Sequence, residues 1–559
     1  MIDSKSTPAP CVVKARPSFR TAWKSYFYAV VPAVIAFGLC LVYIFGVYGS
    51  YIDDAYIFFQ YATNLSSGNG LSFNPGEMSF GITSILWTLL LAVFHYLTKL
   101  DIIYIAQVLG AILFSLSTVA WSDFTRRATG KTWLALLVGV LYGANPSAVK
   151  MSVSGMDVAL SVLLLGLMLL TLQRHGFRRP LLVGTLAGLA FLCRPDALLL
   201  MPMLLAYHGY CSWAAPGSDR SVRSYLKEVI WLLVGFAVLL TPWVAYVKVH
   251  TGDFIPPTRM GKLLFALPHW YGCSYPEFLS FGIAERLRLA VWSAIHIFEG
   301  SLLARVFWLP FMLPFAVLLV SRFVRKRDSL RNMGLIEFMG FYIVAIFAMF
   351  GLLFPVTQPR YLAAVLPISI VGCIVLAHEL LKERFAGWKF GQRWRGMVAP
   401  MLVLGVVVAY LAAHVYVYSD YRQAVQVQGI RAEVGRWLQQ HTDPDASVAL
   451  EPIGAVGYYS ERHIVDMGGL IDDAVWPYIQ DGYRSPERVF AFLRETQPTY
   501  IVVYVHHPGV GKVVDMFPEY FTLLETVVPL GTLEGKFAAY DAYSIYLCHW
   551  DLATKVAAP

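Results

Sequence analysis

Long apolar runs, each about the length that crosses a bilayer, alternate along this chain with short basic loops. The runs fall at 27–48, 102–122, 132–148, 157–173, 180–194, 196–210, 228–247, 303–321, 334–354, 360–381 and 397–417. Several are short, and Arg194-Pro195-Asp196 interrupts the apolar stretch 180–210. Lys5, Lys14, Arg16, Arg20 and Lys24 precede the first run, and no small-residue cleavage site follows it before Tyr51. That pattern predicts an uncleaved first span. Five loops carry the basic residues: Arg126, Arg127 and Lys131; Arg174, Arg178 and Arg179; Arg220, Arg223 and Lys227; the stretch 322–331; and the stretch 382–395. About eleven spans, with the N-terminus inside, put all five on the cytoplasmic side and the loop 48–101 outside. Residues 82–98 are apolar too, and a full crossing there is the alternative. Keeping the next three basic loops inside favours a re-entrant or interfacial helix instead.

After Tyr418 the apolar runs stop. The expected organisation is a basic cytoplasmic N-terminus (1–26), a polytopic α-helical membrane domain (27–419) and an extracytoplasmic α/β domain (420–559). Within the last, 429–440 reads as a helix with Ile430, Val434, Trp437 and Leu438 on one face. Strands are predicted at 447–450, 463–466, 500–505 and 541–548, a helix at 486–496, and a glycine-rich turn at 453–460.

Composition agrees with the pattern. Residues are 57% hydrophobic and 14% charged, against about 25% charged in soluble domains. The net charge of +8 sits in the loops and serves orientation, so nucleic acid is not an expected partner; the lipid bilayer is. The seven cysteines include no CxxC. Cys273 and Cys548 alone are expected to share an oxidising compartment, where they could form a disulfide. His250, His506 and His507 have no carboxylate or cysteine at metal-ligand spacing.

The chemistry concentrates in residues 51–77, YIDDAYIFFQYATNLSSGNGLSFNPGE. Asp53 and Asp54 open a helical segment in which Gln60, Thr63, Asn64 and Ser67 form a polar stripe. The rest is apolar, as in a helix lying on a membrane interface, and Gly68-Asn69-Gly70 ends it. A carboxylate pair at that depth suits acid–base chemistry on a lipid headgroup. Helix capping is the other reading of the same acids.

YIDDAYI, NLSSGNGLSFNPGE and TSILWTLLLA together resemble a block of the GT-C membrane glycosyltransferases, particularly the arabinofuranosyltransferase branch, which uses decaprenyl-phosphate arabinose. SGMDVAL, LAFLCRPDALLL, TGDFIPPTRMGK, QPRYLAAVLP and VGYYSERHIVDMGGL follow in family order. The chain departs from the usual block at Met78–Gly81 and Ile85, and has Asp157 where the family commonly has Glu. The resemblance implies an inverting transferase acting on the outer face of the cytoplasmic membrane. Its donor would be a polyprenyl-phosphate sugar and its acceptor a cell-envelope glycan, lipid or protein. Asp53 is then the expected general base and Asp54 its supporter.

Asp157 is a candidate for positioning the acceptor or a metal, or forms a capping box with Ser154. Arg360 with Tyr361 is the preferred donor-phosphate site, with Arg194, Arg259 and Lys262 as further candidates. Arg194 could instead only neutralise Asp196, and Arg360 could be a snorkelling anchor. A divalent metal is left open. A transporter of lipid-linked sugars is the alternative function, but it would place charge at mid-bilayer in paired repeats, and no repeat is visible.

Overall fold

A computed structural model describes residues 19–214, 221–254, 256, 258–300, 302–325, 333–353, 358–384, 392–504, 510–529 and 542–551. Cys11, the basic residues up to Arg16, Lys326, Arg327, Arg331, His506 and His507 lie outside them. The first part is helical: α1 (Phe19–Gly46), α2 (Asp53–Ser66), α3 (Ile85–Thr98), α4 (Ile102–Thr129), α5 (Thr132–Gly143), α6 (Pro146–Ser152), α7 (Val158–His175), α8 (Pro180–Cys193), α9 (Leu200–Gly209) and α10 (Val222–Thr251). Next come α11 (Thr258–Tyr271), α12 (Tyr275–Ser280), α13 (Ile283–Gly300), α14 (Leu302–Phe307), α15 (Leu309–Arg325), α16 (Leu335–Leu352), α17 (Val365–Arg384) and α18 (Gln392–His441).

Among the described residues, six helices are long and apolar enough to cross a membrane. A seventh crossing arises if α5 and α6, bent by 60° at Ala144-Asn145, act as one. The Asn145 side chain accepts from the Ser147 and Ala148 amides and Pro146 starts the second helix, so the break is written into the sequence. Likewise Pro195 ends α8 and opens a 3-10 turn, Pro195–Leu199, which splits 180–210 into two short helices. The 14 residues of α3 rise about 21 Å, less than the hydrocarbon thickness of about 30 Å.

The sequence reading placed a boundary at Tyr418, but α18 runs through it for 50 residues. Hydropathy changes there and helix propensity does not, so the span 397–417 and the helix 429–440 are one rod. Beyond it lie β1 (Ser447–Leu450), α19 (Gly454–Ser460), β2 (His463–Asp466), α20 (Pro486–Thr496), β3 (Tyr500–Tyr504), α21 (Val510–Met516), β4 (Phe521–Val527) and β5 (Tyr543–Cys548). The sheet order is β2-β1-β3-β5-β4. β1 is parallel to β2 and β3, and β5 is antiparallel to β3 and β4. The stretch read as a glycine-rich turn is the helix α19. Cys273 is buried with Leu263, Leu267 and Phe278 while Cys548 sits in β5; both are free, so the disulfide open to them in the sequence is not formed.

The helix α2 is not the interfacial helix that its pattern suggested. Ala55, Tyr56, Ile57, Phe58, Phe59, Tyr61 and Ala62 are all buried in the protein core. Its polar stripe grips the following loop instead of water: Gln60 donates to the Phe73 carbonyl at 3.0 Å, and Asn64 to Ser72 and Phe73 at 3.0 and 2.8 Å. Asn74 then pairs with the backbone of Ile464 on the edge strand β2, donating to its carbonyl and accepting from its amide. Glu77 meets His463 at 2.9 Å. The C-terminal domain is thus fastened directly over the first loop.

Candidate active site

Neither aspartate caps its own helix, since Ile52 occupies the cap position and offers no side-chain hydrogen bond. Consecutive helix positions diverge by about 100°, and that angle separates the two acids. Asp53 turns to the C-terminal domain. It accepts from the amides of Gly454 and Ala455 at 2.8 and 3.1 Å and pairs with Arg431 at 3.0 Å. Arg431 is itself held by the Tyr543 hydroxyl at 2.7 Å. A Cβ at position 454 would collide with the Asp53 carboxylate, which is why glycine starts α19.

Asp54 turns the other way, into a cavity. Its carboxylate accepts from Arg360 at 2.6 Å and from Lys262 at 3.2 Å, so α2, α11 and the 3-10 turn Pro359–Leu362 meet on one atom. Burial alone would raise the carboxyl pKa, but Lys262 and then Arg360 outweigh it and hold it well below the usual carboxylate range. Burial disfavours the Lys262 ammonium too, and Asp54 more than restores it. Arg360 is 8% exposed, so it is a buried site residue and not a snorkelling anchor. Of the two aspartates, Asp54 faces the cavity, whereas Asp53, the base expected from the resemblance, faces the C-terminal domain.

Arg360 and Arg194 both lie over the Tyr361 ring, at 5.3 and 5.1 Å from its centroid. Burial works against the Tyr361 phenolate, yet Lys262 and Arg360 bring its pKa below the ordinary value. Arg194 pairs with Asp196 at 3.1 Å and faces Asp157 at 3.6 Å. Asp157 is 2% exposed, and burial raises its pKa against the pull of Arg194. The Ser154–Asp157 capping box does not form: the Asp157 side chain caps nothing, and Ser154 donates to the Met151 carbonyl.

Two cavities share Arg194, Arg360 and Tyr361 as their common wall. One runs among the membrane helices and includes Leu165, Ala190, Leu200 and Tyr342. The other opens on Asp54, Asp157, Lys262 and, from the C-terminal domain, Leu470. Leu470 is presented by a loop gathered around Asp466, which accepts from the amides of Gly468, Leu470 and Ile471. Burial pushes the Asp466 carboxyl up to about 6 even against those three amides.

The structure therefore brings Asp54, Asp157, Arg194, Lys262, Arg360 and Tyr361 together. It leaves out Asp53, and also Arg259, which is exposed and donates to the Leu353 carbonyl at 3.0 Å. Outside the lining of both cavities, Lys150 is buried at 2.5 Å from Asp420 and lies 4.6 Å over the Tyr51 ring. A lysine in the apolar stretch 146–160 was the signal for it. Among the described residues no group of three His, Cys, Asp or Glu is placed to hold a metal. Asp54, Asp157 and Asp196 each face a cation.

The fold is that of the GT-C membrane glycosyltransferases. The chain is similar to ArnT from Cupriavidus metallidurans bound to undecaprenyl phosphate, with a TM-score of 0.55, 14% identity, and coverage of 94% of this chain and 98% of that one. It is also similar to the Archaeoglobus fulgidus oligosaccharyltransferase in the apo form, with a TM-score of 0.59, 12% identity, and coverage of 93% and 75%. A third similar structure is the A. fulgidus oligosaccharyltransferase AglB with an inhibitory peptide and a dolichol-phosphate, with a TM-score of 0.52, 10% identity, and coverage of 93% and 77%. Residues 415–546 match a family described as a domain of unknown function (DUF8728). No curated protein sequence matches the chain.

Proposed function

We propose that this chain is an inverting glycosyltransferase that moves a sugar from a polyprenyl-phosphate donor to a cell-envelope acceptor on the outer face of the cytoplasmic membrane. Arabinofuranose is the sugar to which the family resemblance points. The observation that carries this reading is the shared wall of Arg194, Arg360 and Tyr361 between a cavity among the membrane helices and one that contains Asp54. A lipid phosphate lodged at that wall has its prenyl chain on the membrane side and its sugar on the Asp54 side.

The charge arrangement suits the reaction. Transfer turns a singly charged phosphodiester into a phosphomonoester with a second negative charge. Fixed cations at the leaving oxygen therefore stabilise the transition state more than the ground state. Arg360 and Lys262 supply them. Clamped by both, Asp54 is a weak base; a donor phosphate that draws the two cations toward itself raises its basicity. Asp54 then takes the proton of the acceptor hydroxyl as the hydroxyl attacks the anomeric carbon from the face opposite the phosphate. Asp157 holds Arg194 in place across the cavity.

Mass spectrometry of surface glycans and glycoproteins from cells with and without this chain tests the reading. The expected result is the loss of one sugar from one class of envelope molecule. Unchanged glycans would overturn it.

A further inference from the structure

At the opposite end of the membrane bundle from the Asp54 cavity, a second ionic cluster has no part in the proposed transfer. Asp123, near the end of α4, is almost buried. Three guanidinium groups converge on it: Arg126 at 3.0 Å, Arg127 at 2.8 Å and Arg174, from the end of α7, at 2.6 Å. The Tyr28 hydroxyl of α1 donates to the same carboxylate at 2.8 Å and accepts from Arg126 at 2.7 Å. Arg179 lies close enough to act on His175 together with Arg174 and Arg127.

Three positive charges thus share one negative charge. The three arginines remain 36 to 43% exposed, which leaves donors on each guanidinium for an outside acceptor. Favourable helix dipoles account for a cation at the end of α4 or α7. They do not require three to meet at one point. The surroundings supply the rest of a lipid site. Leu181 and Leu182 follow the basic loop and are 45% and 40% exposed, and Trp133, beside Lys131, is 54% exposed. Cations at the ends of membrane helices, with exposed apolar and indole side chains next to them, match a headgroup phosphate above and acyl chains below.

We propose that the Arg126–Arg127–Arg174 cluster is a binding site for an anionic phospholipid, which ties α1, α4 and α7 together at that face of the membrane. Asp123 holds the guanidinium groups in position, and the lipid phosphate takes up the remaining positive charge. The site is independent of the transfer activity.

The test uses the full chain purified in detergent, titrated with cardiolipin, phosphatidylglycerol or phosphatidylcholine in mixed micelles, and with inorganic phosphate and glycerol phosphate as headgroup controls. Binding is read by native mass spectrometry and by melting temperature. The two anionic lipids should bind and raise the melting temperature, whereas phosphatidylcholine and the chain-free phosphates should not. Arg127→Gln and Arg174→Gln should each weaken lipid binding about fivefold, the effect of about 1 kcal/mol per basic residue near an anionic surface. Arg179→Gln lies outside the Asp123 ion pairs and should weaken binding without disturbing the fold, so it decides the question if the other variants prove unstable. Equal binding of phosphatidylcholine, equal stabilisation by free phosphate, or unchanged lipid affinity in Arg179→Gln or in a folded Arg127→Gln or Arg174→Gln would overturn the proposal.

Discussion

The Asp53 carboxylate lies 3.0 Å from the Arg431 guanidinium, and this pair joins the helix that opens the first loop to the long helix that carries the C-terminal domain. Both side chains are largely buried, at 12% and 7% exposure. Removing one partner of such a pair leaves a buried charge and costs about 3–5 kcal/mol. Asp53→Ala should therefore lower the melting temperature of the purified chain clearly. An unchanged melting temperature would mean that the pair does not fasten the two domains.

The donor-phosphate assignment separates two arginines that look alike in sequence. Arg360→Ala should weaken binding of a polyprenyl-phosphate sugar about ten- to a hundredfold, the usual cost of losing charged hydrogen bonds. Arg259→Ala should leave it unchanged, because Arg259 bonds to the Leu353 carbonyl outside both cavities. Isothermal titration of the two variants with a synthetic donor provides the comparison. Equal losses would remove the shared wall from the account.

The acid limb of the rate profile distinguishes Asp54 from Asp157. Asp54 is held well below the usual carboxylate range by Lys262 and Arg360, whereas burial raises the Asp157 carboxyl from its ordinary value. With Asp54 as base, kcat/KM should stay level down to below about pH 4, the ordinary carboxylate value. The limb in kcat should lie higher, because the bound donor draws Arg360 and Lys262 away. With Asp157 as base, the limb in kcat/KM would lie at higher pH than with Asp54, because burial raises the Asp157 carboxyl.

Asp466 makes a prediction about stability. Its carboxyl moves from 3.8 to about 6 on folding, so the folded state holds a proton that the unfolded chain has released. The stability contributed by that proton is complete below about pH 4 and is lost as pH rises to about 6, on the order of 3 kcal/mol in all. Melting temperatures of the full chain across that window should fall for the wild type and fall less for Asp466→Asn. Parallel curves would show that Asp466 does not titrate there.

Much of this arrangement could be read from the pattern alone. The apolar runs marked the helices because burial and length leave few alternatives, and His463–Asp466 and Tyr500–Tyr504 announced themselves as short apolar strands. Phe521–Val527 was missed because five of its seven residues are exposed at the sheet edge, so it lacks the alternation of a half-buried strand. The glycines of α19 looked like a turn. They are there because Gly454 must admit the Asp53 carboxylate and Gly457 packs against Phe73. The ionisable residues of the Asp54 cavity were all candidates in the sequence. Which of two adjacent acids faces inward was not legible, because that depends on how α2 is rotated, and α2 is oriented by a domain that comes some four hundred residues later.

The most direct test is sugar transfer from a synthetic polyprenyl-phosphate donor by purified wild type, Asp54→Asn and Asp53→Asn, normalised to folded protein. Loss of the base should slow Asp54→Asn about a hundred- to ten-thousandfold, whereas Asp53→Asn should melt at a lower temperature and keep its turnover per folded molecule. Near wild-type transfer by Asp54→Asn, with the chemistry lost in Asp53→Asn, would contradict the assignment of the active site to the Asp54 cavity.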